Sequence, residues 1–391
     1  MQIKEVRAAK IKDSRGEFTI EVSVNKSKAS SPSGTSTGKY ETPSYHKSLD
    51  WDIKAINNFK ELKNIEINSF EDLEKVESLI KNKFKFKQAK EFGANSLFAL
   101  ESAILKALAV SKEEQLWEII NPNAYKFPIP VGNAVGGGLH ADNKNHPVFQ
   151  EFLLIPKENS FISNVNSMEE IYRALGLILN AKEKDQEGAW ETTLHDEQIL
   201  SIFDKFKHKI HIGLDIAAST IFKDHRYHYG KVLFSREKQI KYINHLIDRY
   251  HIFYIEDPLQ EEDFLGFQKI NQSHLIVGDD LTVTNLERVK KALKEKAITA
   301  LIIKPNQNGS LLELKNILDF CKSNHIATVI SHRAGETFDD ALADFAFGFG
   351  ADYIKCGIST LYREVKLQRL MDIEKSLEHH LLRRGKAILS D

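Results

Sequence analysis

Apolar and polar positions alternate at the start of the chain. Ile3, Val6 and Ile11 lead into a turn at Asp13-Ser14-Arg15-Gly16, beyond which Phe18, Ile20, Val22 and Val24 fall on every second residue. A period of two on both sides of a glycine-bearing turn predicts a β-hairpin. Three helical segments are predicted next. One starts at Ser69, with Asp72 three residues on as a capping partner and Leu73, Val76, Leu79 and Ile80 on one face; another covers about 95–110, where Leu97, Leu100, Ile104 and Leu108 share a face. The proline-punctuated stretch from Asn121-Pro122 to Phe127-Pro128-Ile129-Pro130 then marks a boundary. Residues 1–125 are therefore expected to form a small α+β domain and residues 126–391 a larger one.

Beyond the boundary, short apolar runs each end in a charged residue: HIGLD at Asp215, FYIEDP at Glu256, LIVGDD at Asp279, ALIIK at Lys304, TVISHR at His332 and Arg333, and YIKCG at Lys355. Amphipathic stretches long enough for helices separate them. Such runs suit strands buried on both faces in a parallel sheet. Functional groups at the end of each successive strand are what the C-terminal face of a (β/α)8 barrel provides. An open doubly wound sheet is the competing architecture, but it gathers ligands at one switch point and has no need of consecutive strand ends.

Composition narrows the field. With Lys+Arg 54 against Asp+Glu 55 the net charge is −1, which removes the electrostatic footprint of a general nucleic-acid or anionic-membrane binder. Two cysteines in 391 residues, Cys321 and Cys356, make no disulfide framework and no CxxC zinc site, so a reducing compartment is expected. The opening lacks the apolar core of a signal peptide, and the most apolar stretch, 94–110, is interrupted by Glu101 and Lys106. A cytoplasmic protein without a membrane span is the expectation.

Asp215, Glu256 and Asp279 would meet as three carboxylates at adjacent strand ends. One such carboxylate can simply cap the following helix. Three in series repel unless a cation neutralises them, and oxygen-only ligands favour a hard divalent ion, Mg2+ foremost. Lys304 and Lys355 would face the same mouth, where apolar walls and neighbouring cations can strip a lysine of its proton and make it a base.

The ordered motifs Asp13-Ser14-Arg15-Gly16, Ser33-Gly34-Thr35-Ser36-Thr37-Gly38, Gly93-Ala94-Asn95-Ser96, Gln150-Glu151-Phe152, Gly213-Leu214-Asp215, Ile255-Glu256-Asp257-Pro258, Asp279-Asp280-Leu281, Lys304-Pro305-Asn306-Gln307 and Ser331-His332-Arg333 resemble those of the enolases over nearly the whole chain. The resemblance implies an enolase-type (β/α)8 barrel, less regular in its first strands, with a smaller N-terminal α+β capping domain. It implies at least a homodimer and dehydration of 2-phosphoglycerate to phosphoenolpyruvate. It also implies two Mg2+ ions, one on Asp215, Glu256 and Asp279, the second arriving with substrate and held by Ser36 of a lid loop. By the same resemblance Lys304 is the base, Lys355 stabilises the developing charge, and Glu187 with Glu151 serves departure of the hydroxide. His140 approaches from a lid, Arg333 holds the phosphate, and His332 and Gln150 lie on the substrate side.

The chain departs from the family in places. Ala334 stands where a serine is usual beside the phosphate arginine, Ala189 replaces a glycine after Glu187, the segment between Glu41 and Ala55 is short, and the segment from His140 to Gln150 is longer and carries His146-Pro147. Two alternatives to catalysis of this reaction follow: an enolase-like protein with a binding or regulatory role, or one acting on another acid.

Overall fold

The structure, a computed structural model, describes residues 1–34, 39–141, 145–272 and 274–388. The predicted hairpin forms: β1 (Val6–Lys12) pairs antiparallel with β2 (Phe18–Val24), placing Val6 opposite Val24 and Lys12 opposite Phe18, and β3 (Ser27–Ser30) adds a third strand. Asp13 explains the turn. Its Oδ1 accepts from the N–H groups of Arg15 and Glu17, both at 2.9 Å. Helix Leu73–Phe84 buries Leu73, Val76 and Ile80 as expected, but it starts later than the Ser69 signal implies. A 3-10 turn, Phe70–Asp72, intervenes, and Ser69 makes no side-chain cap bond; Asp72 reaches back instead to the N–H of Asn68 at 2.7 Å.

The barrel follows. Its strands are β4 (Ile129–Gly136), β5 (Glu151–Pro156) and β6 (Ile210–Asp215), then, after a small outer sheet of β7 (Phe222–Lys223), β8 (Arg226–Tyr229) and β9 (Val232–Phe234), β10 (Tyr254–Glu256), β11 (Leu275–Gly278), β12 (Ala300–Ile303), β13 (Ala327–Ser331) and β14 (Tyr353–Lys355). They close in the order β10-β11-β12-β13-β14-β4-β5-β6. The uniformly parallel barrel expected from periodicity is corrected at one strand: β5 runs antiparallel to both β4 and β6. Among the described residues the β4–β5 connection holds only a 3-10 turn, Gly138–His140, and no helix to return the chain to the far end. Strand β5 therefore begins at the mouth where the other strands finish. That reversal is why Glu151, at a strand start, sits opposite Asp215, at a strand end.

Every run read as a barrel strand is buried on both faces, by different partners. Val131, Leu153, Ile155, Tyr254, Val277, Ala300, Ile302 and Val329 fill the lumen, while Leu214, Ile255, Ile276, Leu301, Ile303 and Ile330 pack outward under the helices. Gly213 makes room in the lumen, since a Cβ there would stand 3.0 Å from Leu153 Cβ and 3.4 Å from Tyr254 Cβ.

Helix Ala94–Lys112 is long and apolar enough to cross a membrane by composition, yet 83% of that window is buried inside the fold. The two charges that interrupt it are both tied to the barrel. Glu101 Oε2 accepts the Leu311 N–H at 2.7 Å, and Lys106 pairs with Asp339 at 3.1 Å and Asp340 at 3.0 Å. Beside Glu101, Ser310 Oγ donates to Glu77 Oε1 at 2.5 Å.

Burial, reinforced by the charge of Glu77, pushes the Glu101 carboxyl well above its ordinary value, so the folded protein keeps a proton there that the unfolded chain releases near pH 4. Stability should accordingly fall as pH rises above that value, by about 1.4 kcal/mol per unit until the folded-state pKa is reached. Glu101→Gln keeps the acceptor for Leu311 and should flatten that slope, leaving the variant more stable than the parent at pH 8. Urea unfolding at pH 5 and pH 8 measures it; an unchanged slope would place the proton elsewhere.

Candidate active site

The strand ends of the barrel surround a cavity of about 270 Å³. A larger cleft of about 760 Å³ opens at the opposite end, beside Ala327 and Asp352, but none of the predicted site residues lines it. At the mouth, β14 carries Lys355 across β4 to three carboxylates on β5, β6 and β10. Its ammonium stands 2.8 Å from Glu151, 3.2 Å from Asp215 and 2.9 Å from Glu256. Burial alone would lower the lysine pKa, but these three anions outweigh it and hold the ammonium well above its usual value. The carboxylates are under-compensated. Glu256 is pushed well up by burial and then by Asp215, and Glu151 rises to about 7, driven by burial and opposed by Lys355. Tyr254, two residues before Glu256 on the lumen side, donates its hydroxyl to Glu256 Oε2 at 2.6 Å.

Asp279 lies just beyond β11, with Oδ2 accepting from Lys304 Nζ at 2.5 Å. Its Oδ1 is buried and without a hydrogen-bond partner among the described residues. Asp257 and Asp280 bring oxygens within 4.8 Å of Asp279, a closer trio than the one read from the strand ends. The carboxylate of Asp257 is committed to backbone, accepting the N–H groups of Asp279 at 3.1 Å and Asp280 at 2.6 Å. An orphaned carboxylate oxygen amid excess, oxygen-only anionic donors is a fit for a hard divalent cation. The apolar-wall argument for Lys304 is corrected here. Burial does lower its pKa, but Asp279 overrides that and holds the lysine above its usual value, so in this arrangement Lys304 is a cation.

Glu187 belongs to a loop that looks exposed in sequence and is buried in the fold. Asp185 folds it inward, its Oδ1 accepting the N–H groups of Glu187 at 2.8 Å and Ala189 at 2.9 Å. Trp190 then bonds to the backbone of β4 at Ala134 and Gly136. Gly188 has φ +88° and no space for a Cβ, which would lie 2.5 Å from Thr360 Cγ2. Ala189 has no positive φ, which is why alanine is tolerated there. Burial raises the Glu187 pKa, but His332, His140, Arg363 and Lys355 together bring it below the ordinary range. His140 Nδ1 lies 3.5 Å from Glu151 Oε1, and His332 Nε2 lies 3.5 Å from Glu187 Oε2. Gln150 lines the cavity, with its N–H on the Asp215 carbonyl at 3.0 Å. Ser36 falls outside the described residues.

Arg333 is held by both domains. Its guanidinium meets Glu41 of the capping domain at 3.2 Å and Asn306 at 3.3 Å, and Asn306 in turn donates to Asn95 at 2.8 Å. The Asp13 turn docks alongside, through Ser14 N–H to the Glu336 carbonyl at 2.7 Å and a Ser33–Gly335 backbone pair. Asp185, Glu41, Asn306 and Arg363 were not singled out by sequence reasoning. Asn306 stands inside a quoted motif, Glu41 three residues after another and Asp185 two residues before Glu187, so all three could have been found there. Arg363, one more basic residue at the start of a charged helix, carries no such signal.

Comparison with known proteins agrees with this geometry. Residues 3–120 match the family described as "Enolase, N-terminal domain", and residues 124–390 match "Enolase, C-terminal TIM barrel domain". A protein named enolase from Methanosphaera stadtmanae is 35% identical over 406 residues, covering 96% of this chain and 97% of its own. One from Natronomonas pharaonis is 34% identical (95% and 98%), and one from Thermoplasma acidophilum 31% (96% and 99%).

Removing the central cation tests the charge balance at the mouth. Lys355→Met leaves three buried carboxylates uncompensated and should destabilise the metal-free protein by about 3–5 kcal/mol at pH 8. The loss should shrink at pH 5, where the carboxylates take up protons. Denaturant unfolding in a chelator gives both values; a loss below about 1 kcal/mol at pH 8 would mean that the ammonium is not the group balancing these anions.

Proposed function

The chain belongs to the enolase family, and from that premise we propose how its mouth performs the family's reaction, the reversible dehydration of 2-phosphoglycerate to phosphoenolpyruvate by a hydro-lyase of glycolysis. The observation that carries the proposal is the arrangement of charge around one cavity. Lys304, Lys355 and Arg333 present cations to it, and Glu151 and Glu187 form a carboxyl pair within reach of His140.

The reaction takes a proton from the carbon beside a carboxylate and then expels hydroxide from the next carbon. Lys304 is the base for the first step, a role it can fill only as a neutral amine, once the ammonium has been released from its pairing with Asp279 and has given up its proton. Lys355, whose pKa is driven up by its three carboxylates, stays cationic and stabilises charge as it develops on the substrate carboxylate. The hydroxide needs a proton. Glu151, raised to about 7, keeps one near neutral pH while Glu187 stays ionised, so the pair holds a single proton for the leaving oxygen, with His140 closing over it. Arg333, its fork braced by Glu41 and Asn306, takes the phosphate, and His332 and Gln150 complete the substrate side. Ala334 offers no hydroxyl there, leaving the phosphate to the arginine.

Enolases are metal-dependent. Asp215, Glu256 and Asp279 would hold one Mg2+ and Ser36 a second that comes with substrate, and the ions would supply positive charge to the substrate carboxylate. Residues 1–125 as cap, residues 126–391 as catalytic barrel, homodimeric assembly and a cytoplasmic setting belong to the same proposal. A binding or regulatory role is not favoured, since every charged group that the chemistry requires is present in the chain.

Two measurements test this. In deuterated water, Glu187→Gln should still exchange the C2 hydrogen of 2-phosphoglycerate while losing most phosphoenolpyruvate formation, and Lys304→Ala should lose both. Exchange that survives in Lys304→Ala would reassign the base. Millimolar Mg2+ should raise the Tm of the parent by mass action and leave Asp279→Asn nearly unmoved; equal shifts in both would move the metal off Asp279.

A further inference from the structure

Arg363 stands at the start of the C-terminal helix, Leu361–Ile388, fully buried. The carboxylate it pairs with among the described residues, Glu187, is 3.8 Å away, too far for a hydrogen bond. Its donors go elsewhere. Nη2 reaches the Ala334 carbonyl at 3.1 Å, Nη1 the Thr360 hydroxyl at 3.3 Å, and Nε the Nδ1 of His332 at 2.9 Å. Space for its stem is kept by Gly357, at φ +77°, where a Cβ would lie 2.5 Å from Arg363 Cδ.

The bond to His332 can run only one way. A guanidinium has five N–H donors, no acceptor, and a proton it does not release in proteins. Nδ1 of His332 must therefore present its lone pair, and a neutral ring must carry its hydrogen on Nε2. That atom is 3.5 Å from Glu187 Oε2, an oxygen buried and without a hydrogen-bond partner among the described residues.

We propose that Arg363 is a positioning residue of the active site, holding His332 as the neutral Nε2–H tautomer so that the ring offers Glu187 a donor of fixed charge. The proposal rests on the assignment of Glu187 to the proton-donating pair. The other charges around the ring act consistently: burial first, then Arg363, Lys355 and Lys304, lower the His332 pKa well below its ordinary value, and Glu187 opposes them. A neutral ring turns an N–H toward Glu187, 3.5 Å away, without competing for the proton that the pair must deliver. With the ring neutral, Glu187 is kept ionised by His140, Arg363 and Lys355, and the proton remains on Glu151.

Nitrogen-15 spectra of the histidine-labelled full chain, with Mg2+ present, test it. In the parent, His332 should show one protonated and one bare nitrogen, the proton on Nε2, unchanged from pH 6 to pH 8. An imidazolium or an Nδ1–H tautomer overturns the proposal whatever any variant does. Arg363→Met should let His332 titrate or mix tautomers in that range, with kcat down about 10–100-fold and KM little changed. Arg363→Lys, which restores a charged donor, should recover the tautomer and part of the rate. If Arg363→Met loses stability and activity while the His332 resonances stay where they were, the arginine is structural only. A parent with the expected tautomer but no phosphoenolpyruvate formation would instead sink the functional reading, and the positioning role with it, while the tautomer assignment stands.

Discussion

One ammonium inside a barrel mouth organises much of what this protein does. Lys355 faces Glu151, Asp215 and Glu256 at 2.8–3.2 Å, all of them nearly withdrawn from water. Charges removed from solvent are costly unless their partners are held in place, and these partners come from strands far apart in sequence. Closure of the barrel is what holds them. The antiparallel β5 is part of that arrangement, because only a strand starting at the mouth brings Glu151 opposite Asp215 in register.

The same cluster is left short of positive charge, and that shortage is the source of its chemistry. Three carboxylates share one lysine, Asp279 shares another, and one oxygen of Asp279 finds no donor among the described residues. A fold that placed more cations here would be more stable when empty and would have less attraction for a divalent ion or a basic side chain with a task. Strain between stability and function is resolved below and outside the mouth, where the lumen layer and the outward-facing layer of the strands are mostly apolar.

The capping domain completes the site through polar contacts carried by a few motifs. Glu41 and Asn95 reach Arg333 directly and through Asn306, and the Asp13 turn sits on the loop that follows β13. Helix Ala94–Lys112 supplies the hydrophobic contact beneath, with Glu101 and Lys106 as its two charged ties. The capping domain thus orients Arg333 as well as covering the barrel.

The sequence by itself determined the strand runs and the residues that end them, because a strand buried on both faces must be continuously apolar and its terminal charge is then conspicuous. It also determined the hairpin and the long apolar helix, whose periods are local. Tertiary structure alone decided the rest. The reversal of β5 depends on a connection that, among the described residues, holds no returning helix, and the burial of Glu187 depends on Asp185 folding a polar loop inward. The charge state of Lys304 depends on an aspartate 25 residues away in the chain and 2.5 Å away in space. Arg363 became visible only where a helix start meets the ring of His332. Periodicity is a property of neighbours along the chain, whereas proton placement is set by neighbours across it.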